Sequence, residues 1–454
     1  MDTIVAIATA PGSSGIGIVR LSGKNCFEIV EKIFKPKNNN SIKGYSIKYG
    51  NVLDENENII DEVLVSYFVA PKSYTSENMC EINTHGNSII LRQILNLCIK
   101  NGARLAEPGE FTKRAFINGR IDLTQAESVI DLINSKSERE KQSAINQLEG
   151  FLSKEINLIK HKILDIMADI EASIDYPEYD IEEKTNKELE EAVKEIKELL
   201  EKLEKSFDTG KILKDGVKVA IVGKPNAGKS SLLNAMLKEE RAIVTDIEGT
   251  TRDTIEEFIT IEGILFKIID TAGIRNSYDK IEQIGIDKSK KALSTADLVI
   301  AIFDSTKELS NDDIEIIKNI KEKNAIIVLN KVDLNQNILK DNKIITESMK
   351  DILEISALKR DGLERLYKKM GELFNAKEIA NDNSSIITNI RHKEAIVKAK
   401  NNIIKVGETL ENGLPIDIIA IYFKEALEEL NKITGENVTE DIINEIFSKF
   451  CLGK

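Results

Sequence analysis

Glycine, four residues, then Gly-Lys-Ser is the spacing that cradles phosphate, and residues 223–230 read GKPNAGKS. Gly223 and Gly228 permit backbone conformations that turn successive N–H groups inward and make a concave anion site. Lys229 then reaches the β- and γ-phosphates as a point charge, and the Ser230 hydroxyl ligates Mg²⁺. A helix beginning at Ser231 points its positive end at the same phosphates. The plain alternative, a Gly-rich strand–helix turn, does not account for the full spacing with these flanks.

Three more signals follow in order. Gly249-Thr250-Thr251-Arg252-Asp253 offers a threonine, Thr251, that closes over Mg²⁺ and the γ-phosphate. Asp270-Thr271-Ala272-Gly273 ends an apolar run; Asp270 would hold Mg²⁺ through a water, and the Gly273 N–H would sense the γ-phosphate. Asn330-Lys331-Val332-Asp333 ends another, and the Asp333 carboxylate can accept the two N–H donors of guanine N1 and N2. Adenine lacks that pair, so the expected nucleotide is GTP. Ser356-Ala357-Leu358 follows the last strand, where a backbone N–H meets guanine O6. The residue after DTAG is Ile274, where Ras-like enzymes carry a water-orienting glutamine. Glu282 is one substitute, with a surface glutamate as its plain alternative. Asn226 is another, its carbonyl oxygen holding a monovalent cation that supplies the charge of an arginine finger.

These motifs need a scaffold of strands and helices. Over residues 215–376, Val217–Val222, Phe266–Asp270, Leu298–Asp304, Ala325–Leu329 and Ile352–Ile355 alternate with helical runs, which predicts a mostly parallel, doubly wound P-loop sheet. Residues 1–118 predict an α+β domain, with strands at Thr3–Thr9, Gly15–Leu21, Tyr45–Val52, Glu62–Val69 and Met79–Thr84 and helices at Asn25–Phe34 and Asn87–Asn101. Residues 119–214 turn to a period of about 3.6, interrupted at Tyr176-Pro177. Residues 377–454 return to helices at Asn389–Leu410, Ile416–Thr434 and Thr439–Phe450. The nucleotide domain is thus expected as an insertion in a discontinuous helical domain, whose two stretches each present an apolar face in need of a partner.

Composition bounds the rest. The 454 residues are 41% hydrophobic and 31% charged, with a net charge of −13. That balance disfavours a chain gripping nucleic acid over its whole surface. Residues 1–120 carry 14 Lys and Arg against 12 Asp and Glu, so the acidic excess lies downstream, and if RNA touches the protein the N-terminal segment or a partner is the expected platform. No run approaches a membrane span, and no basic region precedes the first apolar residues as a secretory signal requires. Cys26, Cys80, Cys98 and Cys451 form no CxxC pair, so neither a disulfide frame nor a zinc site is expected, and a cytoplasmic protein fits.

GKPNAGKS, EGTTRD, DTAGIR, IEQIGI and the final CLGK together resemble the family of tRNA modification GTPases called MnmE or TrmE. DTIVAIATAPG, GIGIVRLSG, EINTHG and RLAEPGEFTKRAFINGRIDLTQAE extend that resemblance over essentially the whole chain, with Leu452 in place of the family's usual isoleucine. The resemblance implies an N-terminal domain that mediates a homodimer and binds a 5-formyl- or 5,10-methylene-tetrahydrofolate. Arg20, Glu81, Arg120 and Lys454 would contact the folate, Glu77 being the alternative to Glu81, and Cys451 would lie at the same site as a reactive thiol or merely a small residue. It further implies K⁺ held by Asn226, Thr245 and the backbone of Ile247 and Thr250, and Mg²⁺ held by Ser230 and Thr251. GTP would be enclosed by Asn226 to Ser231 (including Ala227 and Ser231 themselves) and by the Thr245-Asp246-Ile247-Glu248-Gly249-Thr250-Thr251 loop. Lys229 and Glu282 would serve hydrolysis, Glu282 by placing the water. With a flavoprotein, MnmG or GidA, in a heterotetramer, the family adds an aminomethyl or carboxymethylaminomethyl group to C5 of the wobble uridine of certain tRNAs. A ribosome-assembly switch like Era or EngA is the alternative; it would carry a KH-like domain after the nucleotide domain, where this chain has acidic helices. A folate-dependent aminomethyltransferase with a degenerate nucleotide domain is disfavoured by intact Lys229, Ser230, Asp270 and Asp333.

Overall fold

The structure is a computed structural model that describes residues 2–38, 42, 44–175, 182–239, 257–269, 293–334, 338–339, 342, 344–345, 351–374, 387–413 and 415–454. The chain forms two compact units, one of Met1–Ile130, Gln147–Ile196 and Lys398–Lys454, the other of Asp131–Asn146 and Lys197–Val397.

The first unit is built on strands β1 (Ile4–Ile7), β2 (Ser14–Ser22), β3 (Phe34–Pro36), β4 (Tyr45–Leu53), β5 (Ile59–Phe68), β6 (Met79–Gly86) and β7 (Arg104–Leu105). They form one seven-stranded sheet in the order β3-β4-β5-β6-β2-β1-β7. All pairs are antiparallel except β1 with β7. Alternation decides its faces: Val63, Val65 and Tyr67 of β5 are buried while Leu64 between them is exposed. The buried face packs on the helices Cys26–Ile33 and Ser88–Lys100 through Ile29, Val30, Leu91 and Ile94. Asn87 caps the second of these, its side chain accepting from the Ile89 N–H at 2.8 Å. The short β3 and β7, of three and two residues, were not expected from sequence; neither is long enough to show alternation.

The two helical stretches do meet: Phe151–Asp175 packs against Ile416–Thr434. Leu152, Ile156, Ile159 and Ile163 are buried at the 3.6 period on one helix, and Phe423, Ala426, Leu430 and Ile433 on the other. Helix Glu440–Ser448 closes a smaller cluster, where Phe447 and Phe450 lie with Ala115, Ile121 and Leu123. Among the described residues no helix is long and apolar enough to cross a membrane.

The second unit holds β8 (Val217–Val222), β9 (Glu257–Ile261), β10 (Ile264–Ile269), β11 (Leu298–Asp304), β12 (Ala325–Asn330) and β13 (Ile352–Ile355). The sheet order is β13-β12-β11-β8-β10-β9, and only β9 runs antiparallel to its neighbour. β12 is buried at every position, as a parallel strand covered on both faces must be. The sequence pattern missed β9, which pairs with β10 across a Glu262-Gly263 turn. β8 has β10 on one side and β11 on the other, so the chain order reverses at β8. In open α/β sheets the ligand crevice lies at that reversal, beyond the strands' carboxyl ends. Asp131–Asn146 belongs to this unit by contact: Lys136 Nζ sits 4.1 Å from the centre of the Phe258 ring on β9.

Candidate functional site: a phosphate loop and a cationic sheet face

The phosphate loop leaves β8 at the reversal and runs into the helix Lys229–Glu239. Asn226 has φ 65° and Gly228 φ 108°. Gly228 is required twice over, because a Cβ there would also strike the Asn330 side-chain amide. Lys229 Nζ donates to the carbonyls of Gly223 at 2.6 Å and Lys224 at 2.8 Å, folding the ammonium back over the loop. Burial lowers its pKa, so a polyanion beside it would favour the charged form. Lys224 is tied by a 2.9 Å ion pair to Asp313, which completes a capping box with Ser310 on the helix Asn311–Ile320.

The base-side motifs converge on the same loop. Asn330 is 3% exposed. Its Nδ2 donates to the Ala227 carbonyl at 2.8 Å, and its Oδ1 accepts from the Ala357 N–H at 3.0 Å. One side chain therefore joins the phosphate loop, the end of β12 and the loop after β13. Lys331, at φ 70°, sends its Nζ to Asp304 Oδ2 at 2.7 Å. Burial tends to raise the Asp304 pKa, but hydrogen bonds from Lys331 and Thr306 outweigh it and hold the carboxyl below its usual range. Asp333 lies half-buried in the short turn Val332–Leu334. Ser356 pairs with Asp361 through two backbone hydrogen bonds, and Leu358 stands 82% exposed. Asn226, Ala227, Gly228, Lys229, Ser230 and Ser231 thus follow the carboxyl end of β8, Asn330, Lys331 and Asp333 lie at and after that of β12, and Ser356 and Ala357 follow that of β13. Thr245, Asp246, Ile247, Glu248, Gly249, Thr250, Thr251, Asp270, Thr271, Ala272, Gly273 and Glu282 lie outside the described residues. Asp304 was missed from sequence, since an aspartate ending a strand has no distinguishing spacing.

The first unit brings together residues far apart in sequence. Arg20 of β2 stands opposite Glu81 of β6 in register, and Arg20 Nε donates to Glu81 Oε1 at 2.8 Å. Arg20 Nη1 donates to the Gly453 carbonyl at 3.0 Å. The 451–454 tail is held by the Phe111 N–H, which donates to the Lys454 carbonyl at 3.1 Å. Gly453 has φ 89°, and a Cβ there would sit 2.5 Å from the Ile7 carbonyl oxygen, so only glycine lets the tail lie against β1. Burial lowers the Lys454 pKa first, the nearby Arg20 charge second, with Glu81 opposing both. The Arg120 guanidinium carbon is 4.6 Å from the centre of the Tyr74 ring, and that of Arg20 is 5.9 Å from it. Cys451 is exposed on the same tail.

Glu77 belongs to a different network. It accepts from Ser22 Oγ at 2.7 Å and pairs with Arg114 at 3.0 Å. Arg114 also binds Asp2 at 2.8 Å and Glu110 at 3.0 Å, and Arg104 binds the same two carboxylates. Glu77 is consumed in this support, whereas Glu81 is the carboxylate that stands with Arg20. The cations Arg20, Arg120 and Lys454 outnumber the Glu81 carboxylate and suit an anion, while the Arg20–Glu81 pair offers a hydrogen-bonding edge to a heterocycle.

A family model described as the MnmE helical domain matches residues 123–451, and one described as the GTP-binding protein TrmE N-terminus matches residues 3–120. A tRNA modification GTPase MnmE from Clostridioides difficile (strain 630) is 48% identical, covering 100% of this chain and 99% of its own. One of the same name from Thermoanaerobacter sp. (strain X514) is 49% identical with the same coverage. Another from Acetivibrio thermocellus is 47% identical, again over 100% and 99%.

Proposed function

The chain belongs to the MnmE family of tRNA modification GTPases, and from that premise we propose that it couples K⁺-dependent GTP hydrolysis to a folate-dependent change at C5 of the wobble uridine. The observation that carries the folate half is the pairing of Arg20 with Glu81, with Arg120 sharing the Tyr74 ring with Arg20 and Lys454 on the tail whose Gly453 carbonyl Arg20 binds. The donor set fits a reduced folate. Arginine and lysine suit its glutamyl carboxylates, and Glu81 suits the amino edge of the pterin. When bound, the folate supplies a one-carbon unit. The residues of this chain bind and orient it, with Arg20 steadied between Glu81 and the Gly453 carbonyl. Cys451 lies on the tail that Lys454 anchors, within the same neighbourhood.

On the other unit, the inward N–H groups of residues 226–230 and Lys229 hold the phosphates, with Ser230 and Thr251 on Mg²⁺. Asn226, held in its positive-φ conformation, and Thr245 with the backbone of Ile247 and Thr250 hold K⁺, whose charge offsets that developing on the phosphates. Asp333 selects guanine and Glu282 orients the water. The protein acts as a homodimer in the cytoplasm, with a flavoprotein of the MnmG or GidA type completing the modification on tRNA.

The test is one preparation assayed two ways. GTP turnover is measured in equal K⁺ and Na⁺, and 5-formyltetrahydrofolate binding is titrated on the same sample. Turnover several-fold faster in K⁺ together with saturable folate binding is expected. Equal rates in the two salts would remove the cation assignment, and absent folate binding would remove the folate assignment.

A further inference from the structure

Tyr74 belongs to none of the motifs that carry the nucleotide or folate assignments, yet both arginines of the cationic site and a buried threonine meet on it. It sits in the segment between β5 and β6. Its hydroxyl is 2.9 Å from Thr112 Oγ1, and Thr112 is fully buried in the helix Glu110–Ile117. That helix is itself fixed by Arg114, 3% exposed, with its three carboxylate partners. The ring is therefore anchored to a rigid element. Both guanidinium carbons, of Arg120 at 4.6 Å and Arg20 at 5.9 Å, lie within the range where an aromatic quadrupole attracts a cation. Arg20 also has the Phe111 ring at 5.7 Å, besides Glu81 and the Gly453 carbonyl. Arg120 is different. It is exposed, and among the described residues it has no carboxylate partner; the Tyr74 ring is what holds it. A long exposed arginine loses much side-chain freedom when it binds an anion, and a ring that orders it beforehand removes part of that loss.

We propose that Tyr74 is a positioning residue of the folate site: it holds Arg120 in place beside Arg20 so that the unpaired guanidinium takes a glutamyl carboxylate of the ligand. The proposal rests on the folate reading, and its test separates the two. Full-length wild type, Tyr74→Phe and Tyr74→Leu are titrated with 5-formyltetrahydrofolate and with the corresponding pteroate, which lacks the glutamyl group. GTP turnover and thermal midpoint are recorded for each. For Tyr74→Leu, folate affinity is expected to fall about tenfold while pteroate affinity changes less than twofold. Tyr74→Phe keeps the ring and loses only the Thr112 contact, so a fall of about two- to fourfold in folate affinity is expected. Turnover stays within twofold throughout, because the ring lies in the other unit. Equal losses for both ligands in Tyr74→Leu, or no loss for either, would overturn the positioning role. Failure of wild type to bind either ligand would instead overturn the folate reading, and the proposal with it.

Discussion

Replacing Asn330 with alanine tests whether the nucleotide site is held together by one side chain. The amide is 3% exposed and makes two hydrogen bonds, to the Ala227 carbonyl and from the Ala357 N–H. Ala227 and Ala357 are each 4% exposed, so water does not easily replace the lost partner. A buried group left without its mate costs about 1–3 kcal/mol, and two such groups with some relaxation give about 2–4 kcal/mol. Unfolding in urea without nucleotide isolates this term from any direct contact with the ligand. If about 2 kcal/mol of it separates the two loops, nucleotide affinity falls about 30-fold, since 1.4 kcal/mol is a factor of ten. Displacement of a fluorescent GDP analogue reads that change. Asn330→Asp sharpens the test. It keeps an acceptor for the Ala357 N–H but turns a carboxylate oxygen toward the Ala227 carbonyl, so it should be at least as damaging as alanine. Wild-type stability and affinity in Asn330→Ala would refute the clamp outright.

Two further outcomes can be measured. Glu282→Ala should leave GTP affinity unchanged and lower turnover at least tenfold in single-turnover assays, because Ile274 cannot orient water; unchanged turnover would make Glu282 an ordinary surface glutamate. Asp2 is lowered to about 2, chiefly by its hydrogen bond from Arg104, and the Glu110 carboxyl, which burial would raise, is held below its usual range by Arg104, the Glu107 N–H and Arg114. Depressed carboxyl pKa values add stability above the unfolded values of 3.8 and 4.5, and that stability is lost as pH falls toward about 2. Arg104→Ala should therefore lower urea midpoints at neutral pH and flatten their fall between about pH 5 and 2. A variant whose pH profile runs parallel to wild type would show that the pairs are screened, as the 55% exposure of Asp2 allows.

Local signals were legible in the sequence. The phosphate loop reads directly because its spacing, preceding strand and following helix all lie within 25 residues, and backbone geometry there dictates residue type. β11 and β12 read as buried because both faces demand apolar side chains. The pairing of Arg20 with Glu81 was not legible from pattern alone. It depends on the register of two strands 61 residues apart, and only resemblance to a family pointed to both residues. Tyr74 was missed for a related reason: its role comes from what approaches the ring, and nothing in its neighbouring residues marks it. Asn330 was assigned to the nucleotide, while the fold also uses it to join two loops.

The tail contact has a consequence for how the protein is made. Arg20 and Gly453 are 433 residues apart, yet they share a hydrogen bond. At about 5–20 residues per second, β2 leaves the ribosome about 20–90 s before the tail that completes its site. The seven-stranded sheet uses only residues before 106 and can pair during that interval, but the cationic pocket closes only after the nucleotide unit has been synthesised. Closing so distant a contact late keeps a nascent chain from displaying the finished cationic site before the nucleotide unit exists.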